Sequence, residues 1–202
     1  MSEGESRVLP EPMSEEQTLK GVVGLTQKQI SGKVVLVDYD PAWPTLFASE
    51  NKRIRSALGA KALAVEHVGS TSVPGLPAKS IIDILLVVES SADEESYLPA
   101  LETAGYVLGI REPDWHEHRM FKGPDTNINL HVFGKGDEEI ERMLLFRDWL
   151  RNNPAERDYY LRTKRELAAK DWKYVQNYAD AKSKVVESII ARARLSRRAA
   201  RA

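Results

Sequence analysis

Gly69-Ser70-Thr71-Ser72-Val73-Pro74-Gly75 is a run of small, flexible and hydroxyl-bearing residues. Asp83 stands thirteen positions after Ser70, inside Ser80–Val88, the most apolar stretch of the chain. A glycine-hydroxyl loop can present backbone N–H groups and hydroxyls to phosphate oxygens, above all where it opens a helix. A carboxylate inside an apolar strand must be paired, hydrogen-bonded, neutralised or bound to a cation, because an unpaired buried charge is costly. An anion cradle beside such an acid is what phosphoryl or nucleotidyl transfer needs, where the protein chiefly positions groups and neutralises charge.

Further side chains can join that chemistry, and each has a plainer structural reading. Lys79 adds a positive charge just before the acidic strand, as an anion ligand or as the partner of a structural Asp83. Ser70 or Ser72 can cap a helix instead of binding phosphate. His67 either fixes the loop through a side-chain hydrogen bond or contacts phosphate. Arg119 and Lys122, on a hairpin arm beside His131, can neutralise a triphosphate or be ordinary exposed charges. His131 shares a strand face with Asn129 and can ligate metal or contact phosphate; the alternative is a core histidine. His116-Glu117-His118 reads as a solvated turn. Arg147 has Asp148 and Glu156 as ion-pair partners, and Tyr178 with Lys182, four apart, reads as a packed aromatic under a snorkelling lysine.

These residues need elements to hold them. Val34–Val37 reads as a short strand stopped by Asp38-Tyr39-Asp40-Pro41, and a helix follows Pro44 and ends at Gly59. Ala64–Val68 is a strand, and Ser80–Val88 a central strand buried on both faces. Residues 91–105 read as a helix, Tyr106–Ile110 as a strand, and Arg119–Lys122 with Asn127–Phe133 as a hairpin turning at Gly123-Pro124-Asp125. From Asp137 the periodicity is helical, with Pro154 as punctuation, a second helix over 155–173 and a third from about Asp180, its Val185, Val186, Ile189 and Ile190 inward. The fold class is α/β (α+β): a small mixed sheet with packed helices and a helical C-terminal half.

Length and composition agree with one domain. The chain has 202 residues, 42% hydrophobic and 29% charged, with a formal net charge of −1, so no global basic field points to nucleic acid. It has no cysteine, which excludes disulfide, zinc-thiolate and catalytic-thiol chemistry. With no signal peptide and no apolar run able to span a bilayer, the expectation is a cytoplasmic protein without membrane partners. Residues 1–32 read as a flexible acidic leader, with a short helix near Leu25–Ile30, and residues 191–202 as a basic tail. RNA contact through that tail ranks last, since it carries no interleaved aromatics.

The stretch from Glu66 to Ile84 (EHVGSTSVPGLPAKSIIDI) resembles the signature of the GrpB family, assigned to the nucleotidyltransferase superfamily with a polymerase-β-type fold. The resemblance extends to Tyr39-Asp40-Pro41-Ala42-Trp43 upstream. Downstream it takes in Asn129-Leu130-His131-Val132, Leu145–Arg151, Pro154, Lys164, Leu167, Tyr178 and Lys182, so that residues 33–190 form the family-like domain. It implies a Gly-Ser turn entering a helix, with Gly69, Ser70 and Ser72 at nucleotide phosphates. It also implies paired carboxylates for two metal ions, Mg2+ or Mn2+, on the following strand. Asp83 matches the first acid, but Leu85 occupies the second position, and Asn127, Asn129 and His131 offer no acid on the neighbouring strand.

Two functions follow as expectations. One is metal-assisted nucleotidyl or phosphoryl transfer, with Ser70 and Asp83 catalytic, Asp83 and His131 at the metal, and His67, Lys79, Arg119, Lys122 and His131 at the phosphates. The other is a non-catalytic module for a nucleotide or phosphorylated small molecule linked to coenzyme A metabolism, a context in which the family domain also occurs.

Overall fold

A computed structural model describes residues 21–24, 34–172 and 174–200. Five strands form one sheet in the order β1-β2-β5-β4-β3: β1 Ala64–Val68, β2 Ile82–Val88, β3 Val107–Glu112, β4 His118–Lys122 and β5 Ile128–Gly134. β2 and β5 run parallel and the other pairs antiparallel, so the sheet is mixed, as the sequence predicts. Six α-helices accompany it among the described residues: α1 Trp43–Leu58, α2 Leu98–Thr103, α3 Glu138–Asn152, α4 Pro154–Ala168, α5 Val175–Ala181 and α6 Ser183–Ala199.

Strand alternation divides the molecule into two layers. Ile82, Ile84, Leu86 and Val88 of β2, with Ile128, Leu130 and Val132 of β5, face α1 and α2 in the main core around Trp43, Ile54 and Leu101. Asp83, Leu85 and Val87, in register with Asn129, His131 and Phe133, face the C-terminal helices. There Leu85, Val87 and Phe133 pack on Ile140, Met143 and Leu144 of α3. The helices behind them close on one another through Leu150, Tyr160, Val185 and Ile189. No helix among the described residues is long and apolar enough to cross a membrane.

Several local expectations need correction. Val34–Val37 is not a strand: Val35 and Val37 are 59% and 41% exposed, and the segment makes one bridge, Val37 to Ala78. The helix over 91–105 is a 3-10 turn, Glu94–Ser96, and then the short α2. Pro99, with no N–H to give and a fixed φ, sits in the first turn of α2 and favours a fresh start there. The second C-terminal helix stops at Ala168, and the expected third one is a pair, α5 and α6, meeting at Lys182.

Described parts of the expected leader and of the expected tail contribute to the fold. Gly21–Gly24, within the expected leader, lies along β3: the Arg111 N–H donates to Gly21 O at 2.8 Å and the Val23 N–H to Gly109 O at 3.0 Å. The proposed helix near Leu25–Ile30 lies outside the described residues. The arginine-rich end continues α6 to Ala199, where Arg192 grips Glu156 through two hydrogen bonds of 2.6 and 2.7 Å.

Candidate functional site

The Gly-Ser loop does not open an α-helix. It makes a single 3-10 turn, Ser70–Ser72, before Pro74 and a positive-φ Gly75 end it. Gly69 is required at the strand end: its φ of 66° and ψ of −170° lie where only glycine is comfortable. A Cβ there would stand 2.4 Å from Asp83 Oδ2. The turn is closed from within by the Ser72 hydroxyl, which donates to Gly69 O at 2.6 Å, and by Thr71, which donates to Ile81 O at 3.2 Å.

The helical half holds the loop and the strand beside it in place from outside. Arg147 of α3 donates to Glu66 at 2.8 Å and to His67 O at 3.2 Å. Arg151 donates to Ser72 O at 2.9 Å, and Lys164 of α4 to Pro77 O at 2.6 Å. Arg147 therefore joins two layers of the fold, with Asp148 as the partner its sequence position suggested, at 2.7 Å.

Between loop, sheet and helices lies a cleft of about 320 Å³. Asp83 sits at its floor, accepting from Asn129 Nδ2 at 2.8 Å, with His131 Nε2 at 3.7 Å. Burial pushes the Asp83 carboxyl up, but His131 and Asn129 outweigh it and hold the group below its ordinary value. Lys122 donates to Asn129 Oδ1 at 2.5 Å, and burial lowers its pKa.

Three more lysines line the cleft from different elements: Lys79 from the loop, Lys164 from α4 and Lys182 from the α5–α6 junction. Burial lowers their pKa values to about 8, 7 and 8, and in each case the nearby lysines or the Asp83 charge adjust that shift. Tyr178 carries two of these ammonium groups near its ring, Lys182 at 4.5 Å and Lys79 at 5.7 Å from the centroid, a cation–π arrangement. Ser70 lines the same cleft.

The structure thus brings together Gly69, Ser70, Lys79, Asp83 and His131, with Lys122 beside them through Asn129, and it separates the other candidates. His67 is on β1 with its ring toward α1: it stacks on Phe47 at 4.9 Å, meets Thr71 Oγ1 at 3.1 Å, and burial lowers its pKa to about 4. These contacts tie the ring to the loop, and His67 does not line the cleft. Arg119 is a correction that strand geometry explains. It lies an odd number of residues from Lys122, hence on the opposite face of β4, where it is 4% exposed and paired with Glu94 at 2.5 Å. Ser72 is spent on the turn. His118, read as part of a solvated turn, is instead 4% exposed on the His131 side of the sheet.

Lys164 and Lys182 are the members that residue chemistry alone under-rated. The available signal was a lysine four places after Tyr160, and another four after Tyr178, each on an apolar helix face.

These residues do not fit the Mg2+ or Mn2+ centre that the resemblance implies. Among the described residues no group of three histidines and carboxylates converges. The second acid that lines the cleft, Glu139, is paired with Arg142 at 2.7 Å, Asp83 is flanked by four lysines whose charge repels a divalent cation, and hard cations want several oxygen ligands. Leu85 is fully buried among apolar side chains. Leu85→Asp is therefore expected to cost about 3–5 kcal/mol of stability, as an uncompensated buried charge does, and urea denaturation measures it. A variant as stable as wild type would contradict this assignment. A second, shallower depression of about 550 Å³ lies beyond the C-terminal ends of β2 and β5, but its Lys135 faces Glu89 at 3.5 Å, and it gathers no comparable set of cations.

Comparison with known proteins gives three matches of consequence beside the GrpB protein family model, which matches residues 33–192. A UPF0157 protein of Halalkalibacterium halodurans is 62% identical over 182 residues, covering 90% of this chain and 93% of that protein. A dephospho-CoA kinase of Mycolicibacterium paratuberculosis is 34% identical over 170 residues, covering 70% of this chain and 41% of the kinase. The crystal structure of the conserved protein GrpB from Enterococcus faecalis superposes with a TM-score of 0.68 at 32% identity, over 79% of this chain and 96% of that one.

Proposed function

The chain belongs to the GrpB family, and from that premise we propose that its cleft binds the phosphate portion of a nucleotide or phosphorylated metabolite without needing a divalent cation. The observation that carries this reading is the convergence of Lys79, Lys164 and Lys182 on one cleft beside Ser70. Desolvated ammonium groups make strong charge-assisted hydrogen bonds to phosphate oxygens, and three of them replace the metal in neutralising charge. Asp83 keeps the empty cleft from accumulating unopposed positive charge. Nucleotidyl or phosphoryl transfer, the catalytic alternative, requires in addition a group that activates the acceptor. The kinase relative adds dephospho-coenzyme A to the compounds worth testing.

A thermal-shift screen of nucleoside triphosphates, pyrophosphate and coenzyme A precursors, each with EDTA or with magnesium, tests the proposal. The expected result is stabilisation that survives EDTA; ligand at 100 times its Kd adds about 2.7 kcal/mol. Stabilisation only with magnesium would overturn the metal-free reading, and no stabilisation by any of them would overturn the anion cleft.

The lysine pKa values add a pH dependence. An anion favours the charged amines, so binding raises their pKa values above those of the free cleft. Affinity is then full below about pH 7 and falls as pH rises through 7–8, where the free lysines lose their protons, instead of near the ordinary lysine value of about 10.4. Calorimetry at pH 8 in two buffers of different ionisation enthalpy is expected to show net proton uptake on binding.

A further inference from the structure

Tyr178, on α5, lines the cleft and is 1% exposed. Its ring carries the ammonium groups of Lys182 and Lys79, a task that a phenylalanine ring performs as well. The hydroxyl is the part that packing does not explain. It is buried and has no hydrogen-bond partner among the described residues. Tyr97 and Tyr106 are as deeply buried, yet both of their hydroxyls are satisfied: Tyr97 donates to Ser91 O at 2.7 Å and Tyr106 to the Glu50 carboxylate. A buried hydroxyl without a partner costs the folded state free energy, so its presence asks for a reason.

The groups around this hydroxyl are donors. Lys79 and Lys182 feel the Asp83 charge, but among the described residues neither ammonium makes a hydrogen bond or an ion pair. Lys164 gives one of its protons to Pro77 O and has others left. An ammonium group only donates, and none of the three donates to the phenol oxygen. Burial, with the nearby Tyr160, raises the Tyr178 pKa well above its ordinary value, so the phenol keeps its proton and is itself a donor. This part of the cleft therefore holds more donors than acceptors. The complement of such a set is an anion whose oxygens bring only lone pairs.

We propose that the Tyr178 hydroxyl is a ligand contact, donating a hydrogen bond to an oxygen of the anion held between Lys79 and Lys182. The two kinds of group divide the work. An ammonium on a flexible stem is a compact point charge that attracts an anion with little demand on direction. The phenol sits on a rigid ring with few torsions, fixed between the two ammonium groups and the edge of Trp172 at 6.3 Å. It therefore offers one directional bond at a set place. The empty protein leaves that bond unmade, and the bound anion completes it. The inference rests on the anion-cleft reading and adds to it a neutral residue that recognises an oxygen instead of a charge.

Tyr178→Phe in the full chain tests this, because it keeps the ring under both ammonium groups and removes the hydroxyl alone. Inorganic pyrophosphate is titrated into wild type and variant by calorimetry, and both proteins are unfolded in urea without ligand. Affinity is expected to fall about 10-fold or more, as for the loss of one hydrogen bond to a charged acceptor. Stability of the empty protein is expected to stay the same or rise, since no existing bond is lost. A less stable variant would show that the hydroxyl is already satisfied inside the empty protein, and would overturn the inference whatever happens to affinity. Equal affinity in the two proteins would overturn it as well, while leaving the anion cleft standing. A wild type that does not bind pyrophosphate would overturn the anion cleft, and this inference with it.

Discussion

Gly69→Ala is expected to lower stability by about 3 kcal/mol or more, the largest effect of any single methyl group in this site. Two costs add. A non-glycine residue at φ 66°, ψ −170° carries about 1–3 kcal/mol of backbone strain. The new Cβ would also meet Asp83 Oδ2 at 2.4 Å and Asp83 Cβ at 2.9 Å, distances that force the acid away from Asn129 and His131. Urea denaturation of Gly69→Ala, alone and combined with Asp83→Ala, separates the two. Removing the carboxylate relieves the closest contact but leaves the Cβ contact, so the cost of Gly69→Ala is expected to shrink without vanishing. An equal cost in both backgrounds would show that the close approach to the Asp83 carboxylate contributes nothing.

Lys79→Gln and Lys182→Gln are expected to weaken pyrophosphate binding by about 10- to 100-fold each, from the loss of a charge-assisted hydrogen bond worth about 1.5–3 kcal/mol. Their effect on the empty protein has the opposite sign. Burial holds both ammonium groups well below the ordinary lysine value, and Lys182 adds repulsion at Lys79, so charging them disfavours the native state at neutral pH. Each glutamine is therefore expected to leave stability unchanged or higher while affinity falls. A lysine kept for structure would show the reverse, with stability lost and affinity untouched. Calorimetry with pyrophosphate and urea denaturation on the same variants distinguish the two. Lys164 is a poorer choice, because its bond to Pro77 O ties it to the loop.

The sequence makes the sheet legible because its signals are local. β-branched runs, the Gly59 stop, the Gly123-Pro124-Asp125 turn and an acid in an apolar strand each follow from residues near one another. The Gly69-to-Asp83 contact is not among them, because it depends on β1 pairing with β2 so that Val68 stands opposite Asp83. Other parts of the site depend on chain segments far apart. Lys164 and Lys182 enter the cleft only because α4, α5 and α6 pack behind the sheet, and no local pattern sets that packing angle. Arg119 and His118 are different, since alternation along β4 alone separates Arg119 from Lys122 and places His118 beside His131. The buried pairing of Arg119 with Glu94 also depends on a 3-10 turn that the longer helix expected at 91–105 concealed. Leu85, standing where the second of the paired acids is expected, and the lack of an acid among Asn127, Asn129 and His131 already point away from a two-metal centre. The lysines that take over the neutralising role come into view only in three dimensions.

The most direct measurement is a crystal structure of the protein soaked in pyrophosphate and EDTA. The expected result is an anion between Lys79, Lys164 and Lys182, in contact with Ser70 and with no cation at Asp83. An empty cleft at saturating pyrophosphate, or an anion that enters only with magnesium bound to Asp83, would contradict it.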